Sequence, residues 1–162
     1  MIEIYTNLFI GTTQDCPITS TDDWTTIHAC KDPCHRRAVN YRNNLPNSHS
    51  FYLIYKNNYD LYLNMVDMEQ ELMLKFTNPI MKAAMSFIEE NITDKKILIH
   101  CNQGQSRSPS IAMIYLARIR FISNNKFENT VQDFINIFPN YNPGTGIKLY
   151  MKKNWDTIIN NL

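Results

Sequence analysis

A cysteine and an arginine lie six residues apart in a stretch that could perform nucleophilic chemistry on a phosphate ester. Cys101 directly follows the apolar run 96–100, and Arg107 directly precedes a longer run that is predicted to be a helix. A loop between a strand end and a helix N-terminus directs several backbone N–H groups into one hollow, which suits the oxygens of a phosphoryl group. Arg107 can hold two of those oxygens with its planar guanidinium. The same groups stabilise a thiolate, so Cys101 is the predicted in-line nucleophile.

The residues around this pair fit the same chemistry. Gly104 permits the tight backbone that such a loop requires. Ser108 can place its hydroxyl near the sulfur of Cys101 and stabilise that sulfur when it departs from phosphorus. The side chains between Cys101 and Arg107 carry no charge, which disfavours strongly anionic polymers as substrates. The residues predicted to bind phosphate are Asn102, Gln103, Gly104, Gln105, Ser106 and Arg107.

Displacement of an alkoxide or phenoxide from phosphorus needs a proton donor at the leaving oxygen. Asp67 follows the predicted strand 61–66. If this strand and the strand 96–100 are parallel neighbours, a right-handed crossover places Asp67 and Cys101 at the same edge of the sheet. Asp67 is therefore the predicted general acid. The alternative general acids are Glu69, Glu71 and Asp60. Asp60 is less favoured because it lies at the start of its strand and therefore at the opposite edge of the sheet.

The run 100–109 resembles the Cys-x5-Arg signature of the protein tyrosine phosphatase superfamily, and in particular its dual-specificity branch. The segment 7–11 is similar to the opening segment of that branch. The resemblance implies hydrolysis of phosphotyrosine, with phosphoserine and phosphothreonine as further substrates, through a cysteinyl-phosphate intermediate. It implies a phosphorylated protein or peptide as partner and no cofactor or metal for the reaction. It also implies that His100 orients Cys101 and that the acid lies on a loop upstream of the cysteine.

Three other functions remain open from the sequence. The first is a phosphatase of a non-protein substrate: an RNA 5′ end, a phosphoinositide or a sugar phosphate. The second is a non-catalytic module that binds phosphorylated residues, although such modules usually lack the cysteine or the arginine that this chain retains. The third is a redox sensor that pairs Cys101 with another thiol. With 162 residues, the chain leaves little room for the insertions that deepen a tyrosine-only pocket, which favours dual specificity.

The segment 28–36 has three interpretations. It could bind zinc through two histidines and two cysteines: His28, Cys30, Cys34 and His35. Their spacing is not that of a usual zinc finger, and Asp32-Pro33 predicts a helix start among them, so no metal site is predicted. The segment could instead be ordinary surface or a basic rim of the phosphate pocket. Separately, the position of the loop 142–146 resembles that of the late loop that braces the pocket in this family. The candidate rim residues are Lys31, His35, Arg36 and Asn142.

Apolar patterning predicts the elements that position these residues. It indicates two strands within 3–12, strands over 24–30, 51–55, 61–66 and 96–100, and helices over 33–41, 79–91, 110–122, 131–138 and 147–159. Strands alternating with helices are typical of α/β proteins. We therefore expect one catalytic domain over 1–162, with a central sheet of four to five mostly parallel strands flanked by helices.

Composition narrows the function classes. Hydrophobic residues make up 44% and charged residues 19%, a globular balance. The formal net charge of +1 argues against dedicated nucleic-acid binding. No apolar run approaches the ~20 residues of a membrane span, and the N-terminus does not resemble a signal peptide. The expectation is a cytoplasmic protein whose four cysteines are thiols, with its oligomeric state undetermined.

Overall fold

Six strands form one mixed sheet in the computed structural model, which describes residues 1–19 and 21–162. The spatial order is β1-β2-β6-β3-β5-β4. The four inner strands run parallel, whereas β1 and β4 pair antiparallel at the two edges. The strands are β1 Ile2–Tyr5, β2 Leu8–Thr12, β3 Trp24–His28, β4 Ile54–Lys56, β5 Asp60–Leu63 and β6 Lys96–Cys101. The predicted α/β class is confirmed, with one strand more than the four to five expected.

The sheet places its most apolar strand at the centre. Ile97, Leu98 and Ile99 of β6 are fully buried, as expected for a parallel strand that helices cover on both faces. The helices are α1 Arg36–Val39, α2 Leu74–Asn91, α3 Arg107–Arg118, α4 Phe127–Ile137, α5 Thr145–Lys153 and α6 Trp155–Asn161. Helix α3 packs on β2 and β6 and touches α2, α4 and α6, so it is the central helix of the core.

The helices differ from the sequence-based bounds by up to five residues, and two of the differences have a clear local cause. Helix α2 begins at Leu74, five residues before Pro79, and the Thr77 hydroxyl donates to the carbonyl of Met73 in its first turn. Pro79 therefore lies inside the helix and does not start it. The predicted last helix is two helices, because the chain leaves helical geometry at Asn154 (φ −117°, ψ 18°).

The strands that precede Asp67 and Cys101 are parallel, but they are not neighbours. Strand β3 lies between β5 and β6 and pairs with both, so the expected direct pairing is wrong. The register sets His28 of β3 beside His100 of β6. The carboxyl ends of all three strands still meet at one edge, which is where open α/β sheets place their ligands.

Among residues 1–19 and 21–162, no helix combines the length and the apolar character needed to cross a membrane.

Candidate active site

The loop between β6 and α3 surrounds Cys101 with backbone. We call residues 102–107 the phosphate loop. Cys101 ends β6 and is 2% exposed, and the Ser108 hydroxyl donates to its sulfur at 3.3 Å. Gly104 has φ +70°, and a Cβ there would lie 2.8 Å from the carbonyl oxygen of Gly11. Glycine is therefore required at this turn both by its backbone angle and by the close approach of β2.

Arg107 is fixed by bonds from both of its terminal nitrogens. Nη1 donates to the carbonyl of Met65 at 3.0 Å, and Nη2 donates to Oδ1 of Asn102 at 2.8 Å. Its Nε is buried and has no hydrogen-bond partner among the described residues. Since a buried donor is costly to leave unpaired, this guanidinium is suited to an anionic ligand.

Asp67 lies in the loop after β5 and lines the same cavity as Cys101 and Arg107. The volume of this cavity is about 560 Å³. Its Oδ2 is 4.0 Å from Nε of Arg107, and its side chain is 37% exposed. A Cβ at Gly144 would overlap the Asp67 carboxylate, so Gly144 makes room for this side chain. The cavity is thus lined by a thiol, a guanidinium and a carboxylate at the carboxyl edge of the sheet.

The alternative acids are placed differently. Asp60 accepts the backbone N–H of Thr26 at 2.8 Å and does not line the cavity. Glu71 is paired with Lys153. Glu69 does line the cavity, but its Oε2 accepts the hydroxyl of Thr145 at 3.0 Å.

A late loop over residues 142–145 closes one side of the cavity. The N–H of Asn142 donates to the carbonyl of Gln105 at 2.8 Å, and the N–H of Gly144 donates to the hydroxyl of Ser106 at 2.9 Å. Asn142 therefore lines the cavity and braces the phosphate loop through its backbone. The family resemblance predicts a loop here that braces the pocket, whereas nothing in the spacing of Gly144 marks its contact with Asp67.

Comparison with known proteins agrees with this geometry. Residues 25–152 match the family of the dual specificity phosphatase catalytic domain. The match includes Asp67, Cys101 and Arg107 and covers most of the chain. The chain belongs to the dual-specificity phosphatase family. No curated protein sequence matches it significantly.

Solved structures with the same fold have low sequence identity to this dual-specificity phosphatase domain. The human tyrosine phosphatase-like serine/threonine/tyrosine-interacting protein aligns with a TM-score of 0.61 and 20% identity, over 96% of this chain and 95% of that one. A leucine rich repeat and phosphatase domain containing protein from Entamoeba histolytica aligns with a TM-score of 0.63 and 16% identity, over 96% of this chain and 90% of that one. The Cydia Pomonella PTP-2 phosphatase aligns with a TM-score of 0.60 and 17% identity, over 94% of this chain and 87% of that one. These likenesses support the fold.

The predicted basic rim of the dual-specificity phosphatase site is wrong for His35. Its ring is fully buried, with Nδ1 3.1 Å from the Tyr41 hydroxyl and Nε2 2.9 Å from the Phe51 carbonyl. Burial lowers the pKa of His35, so the ring is a neutral structural element. The periodicity of a short helix could not show which of its faces packs inward.

Lys31 and Arg36 also lie outside the described lining of the cavity. Arg36 is paired with Asp32 and donates to the carbonyls of Arg42 and Asn43. The segment 28–36 instead reaches the phosphate loop through its backbone, because Asn102 Nδ2 donates to the carbonyl of Asp32 at 3.1 Å. The segment 28–36 therefore helps to hold the Asn102 side chain in place and does not line the cavity.

His100 is fully buried next to Cys101 in the chain and is in contact with a second histidine. Its Nε2 is 2.7 Å from Nδ1 of His28. Burial and the charge of His28 lower the pKa of His100 to about 4. Burial opposes the charged form of His28 as well, but Asp60 and Cys34 outweigh it and raise the pKa of His28 to about 8. His100 is thus neutral at pH 7, and its predicted role in orienting Cys101 stays a prediction.

Proposed function

We propose that this domain hydrolyses phosphomonoesters of tyrosine, and of serine and threonine, in proteins or peptides through a cysteinyl-phosphate intermediate. The observation that carries the proposal is the lining of one cavity by the side chains of Cys101, Arg107 and Asp67. The membership of the chain in the dual-specificity phosphatase family supports the reaction class.

The first step transfers the phosphoryl group to sulfur. The Cys101 thiolate attacks phosphorus, an S–P bond forms, and the bond from phosphorus to the leaving oxygen breaks. The amides of the phosphate loop and the Arg107 guanidinium hold the remaining oxygens. The bonds from Arg107 to Met65 and Asn102 hold its guanidinium in place, and the remaining N–H groups of the guanidinium are available to the phosphoryl oxygens.

Asp67 gives its proton to the leaving oxygen as the P–O bond breaks. In the second step the same carboxylate takes a proton from water, which attacks phosphorus and releases inorganic phosphate. The electron pair of the S–P bond returns to sulfur, and the hydrogen bond from Ser108 stabilises the thiolate that forms. The reaction uses only groups of the protein and water.

The cavity lining favours a protein substrate. Apart from Arg107, the phosphate loop contributes neutral side chains, and Asn142 continues this neutral surface on the late loop. RNA ends and phosphoinositides carry several negative charges, which a set of basic residues would bind better. A panel of phosphotyrosine and phosphoserine peptides, 5′-phosphorylated RNA, phosphoinositides and sugar phosphates tests this choice. A higher kcat/KM for any of the non-protein substrates would reject it.

The test of the reaction is substitution of the nucleophile. Cys101→Ser should lower turnover of a phosphotyrosine peptide by roughly 10³-fold or more, because the serine hydroxyl stays protonated. Binding of tungstate, a phosphate analogue that needs no bond to sulfur, should largely persist, since the loop amides and Arg107 remain. Cys30→Ser, which also removes a buried thiol but one outside the cavity, is the matched control and should stay within about fivefold of the wild type. Cys101→Ser with near-wild-type turnover would exclude the mechanism.

A further inference from the structure

Two cysteines and two histidines converge behind the phosphate loop, outside the catalytic cavity. We propose that they form a structural zinc site of the Cys2His2 type. Each offers one donor atom, and the four atoms all lie within 4.8 Å of one another. The ligands are Cys16, His28, Cys34 and His100.

The separations among these donors are close to those of a tetrahedral site but do not yet equal them. His28 Nδ1 and His100 Nε2 are 2.7 Å apart, and the Cys16 sulfur is 2.8 Å from the His100 nitrogen and 3.4 Å from the His28 nitrogen. The Cys34 sulfur lies 4.0 Å from His100 Nε2. Around a tetrahedral zinc ion, neighbouring nitrogen and sulfur ligands lie about 3.3 to 3.8 Å apart. The measured distances lie on both sides of this range, so side-chain movements of less than about 1 Å complete the geometry.

The donor types identify the metal. Thiolate and imidazole ligands favour zinc over the hard cations calcium and magnesium, which prefer oxygen. Four protein ligands close the coordination sphere, which is the arrangement of structural and not of catalytic zinc. On binding, the two thiols release their protons to solvent and coordinate through sulfur, and the protonated His28 ring releases the proton on Nδ1 so that this nitrogen can coordinate. A cation at the centre attracts all four lone pairs at once, which hydrogen bonds among the same atoms cannot do.

The surroundings orient the ligands for this purpose. With Nδ1 of His28 on the metal, its Nε2 carries the proton and faces Oδ2 of Asp60 at 3.6 Å. A carboxylate behind a ligating histidine is a common partner that fixes the ring and strengthens the ligand. The ring of Tyr62 stacks on the His28 ring at a centroid distance of 4.2 Å and an angle of 1°. Both histidines are buried, whereas both cysteines are partly exposed, so the metal can enter from the cysteine side.

The site would tie together three parts of the chain: the β2–β3 connection, the end of β3 with the turn after it, and β6. Cys16 lies in the β2–β3 connection, His28 ends β3, Cys34 lies in the following turn, and His100 is the residue before the nucleophile. The turn with Cys34 also holds the Asp32 carbonyl that accepts from Asn102, and Asn102 in turn accepts from Arg107. Zinc therefore holds the base of the phosphate loop in position and takes no part in the phosphoryl transfer.

The zinc content of the purified 162-residue chain is the direct test, and it does not depend on phosphatase activity. After removal of metal and reconstitution with a small excess of zinc, elemental analysis should find one zinc ion per chain. Cys16→Ser and Cys34→Ser should each lose at least nine-tenths of it. The catalytic variant Cys101→Ser, which removes a buried thiol outside the cluster, should keep it. Wild type that retains no zinc overturns the proposal, and so does zinc that is lost in Cys101→Ser but kept in Cys16→Ser.

Two further measurements apply even if a cysteine variant fails to fold. Chelation should lower the Tm of the wild type by about 5–15 °C, as expected for loss of a tightly bound metal. Iodoacetamide followed by peptide mass spectrometry should label Cys16 and Cys34 only after chelation. Labelling that is the same with and without zinc overturns the site. A disulfide between Cys16 and Cys34 that forms in preference to zinc binding overturns it as well.

Discussion

Asp67→Asn is the variant that best separates proton donation from phosphate binding. The amide keeps the shape of the side chain but cannot give a proton to the leaving oxygen. The Asp67 carboxylate is 37% exposed and 4.0 Å from Nε of Arg107. Such a partly exposed pair contributes about 1 kcal/mol or less, so loss of the negative charge should change KM by less than about fivefold.

The effect of Asp67→Asn on kcat should be much larger and should depend on the substrate. General acid catalysis is worth about 10²–10³-fold here, or about 3–4 kcal/mol of transition-state stabilisation. That benefit arises only where the leaving oxygen needs a proton. Phosphotyrosine should therefore lose the full factor, whereas an aryl phosphate with an acidic phenol should lose much less in the bond-breaking step.

The assay is a series of single-turnover rates for aryl phosphates that differ in the pKa of the leaving phenol. The rate of the wild type should depend weakly on that pKa, and the rate of Asp67→Asn should fall steeply as it rises. Glu69→Gln is the matched control, because Glu69 is the other carboxylate that lines the cavity. Equal slopes for the wild type and Asp67→Asn would refute the assignment, and a steep slope for Glu69→Gln would transfer it to that residue.

Three more predictions follow from contacts around the site. Gly144→Ala should slow phosphotyrosine turnover at least tenfold, because the new Cβ would overlap the Asp67 carboxylate. It should cost little stability, because the backbone angles of Gly144 suit alanine. In the double variant with Asp67→Asn, Gly144→Ala should cause no further loss of turnover. Ser108→Ala should slow breakdown of the intermediate more than its formation, seen as a larger burst before a slower steady state. Brief peroxide treatment should inactivate the enzyme, with protection by phosphate and recovery in dithiothreitol; full activity after oxidation of Cys101 would contradict a thiolate nucleophile.

The sequence predicts those parts of the site that are local in the chain. Cys101, Gly104 and Arg107 lie on one strand–loop–helix unit, so their spacing alone shows that they surround one hollow. The apolar run 96–100 identifies the buried strand in the same way. Contacts within such a unit are set by neighbouring residues, which a single sequence displays.

Contacts between distant segments could not be read in this way. The expected pairing of the strands before Asp67 and Cys101 overlooked β3, because strand order depends on the whole packing and not on any one segment. His35 looked like a basic surface residue, but Tyr41 and Phe51 bury it. Cys16 and His100 are 84 residues apart in sequence, and they meet only because the turn after β2 packs against β3 and β6.

Direct detection of the phosphorylated cysteine tests the central claim most directly. Ser108→Ala, mixed with a phosphotyrosine peptide and quenched in acid during the burst, should carry one phosphoryl group on the peptide that contains Cys101. The amount of phosphorylated Cys101 should match the amount of dephosphorylated peptide substrate released in the burst. A burst of product with no phosphoryl group on Cys101, or with the group on another residue, would contradict the account.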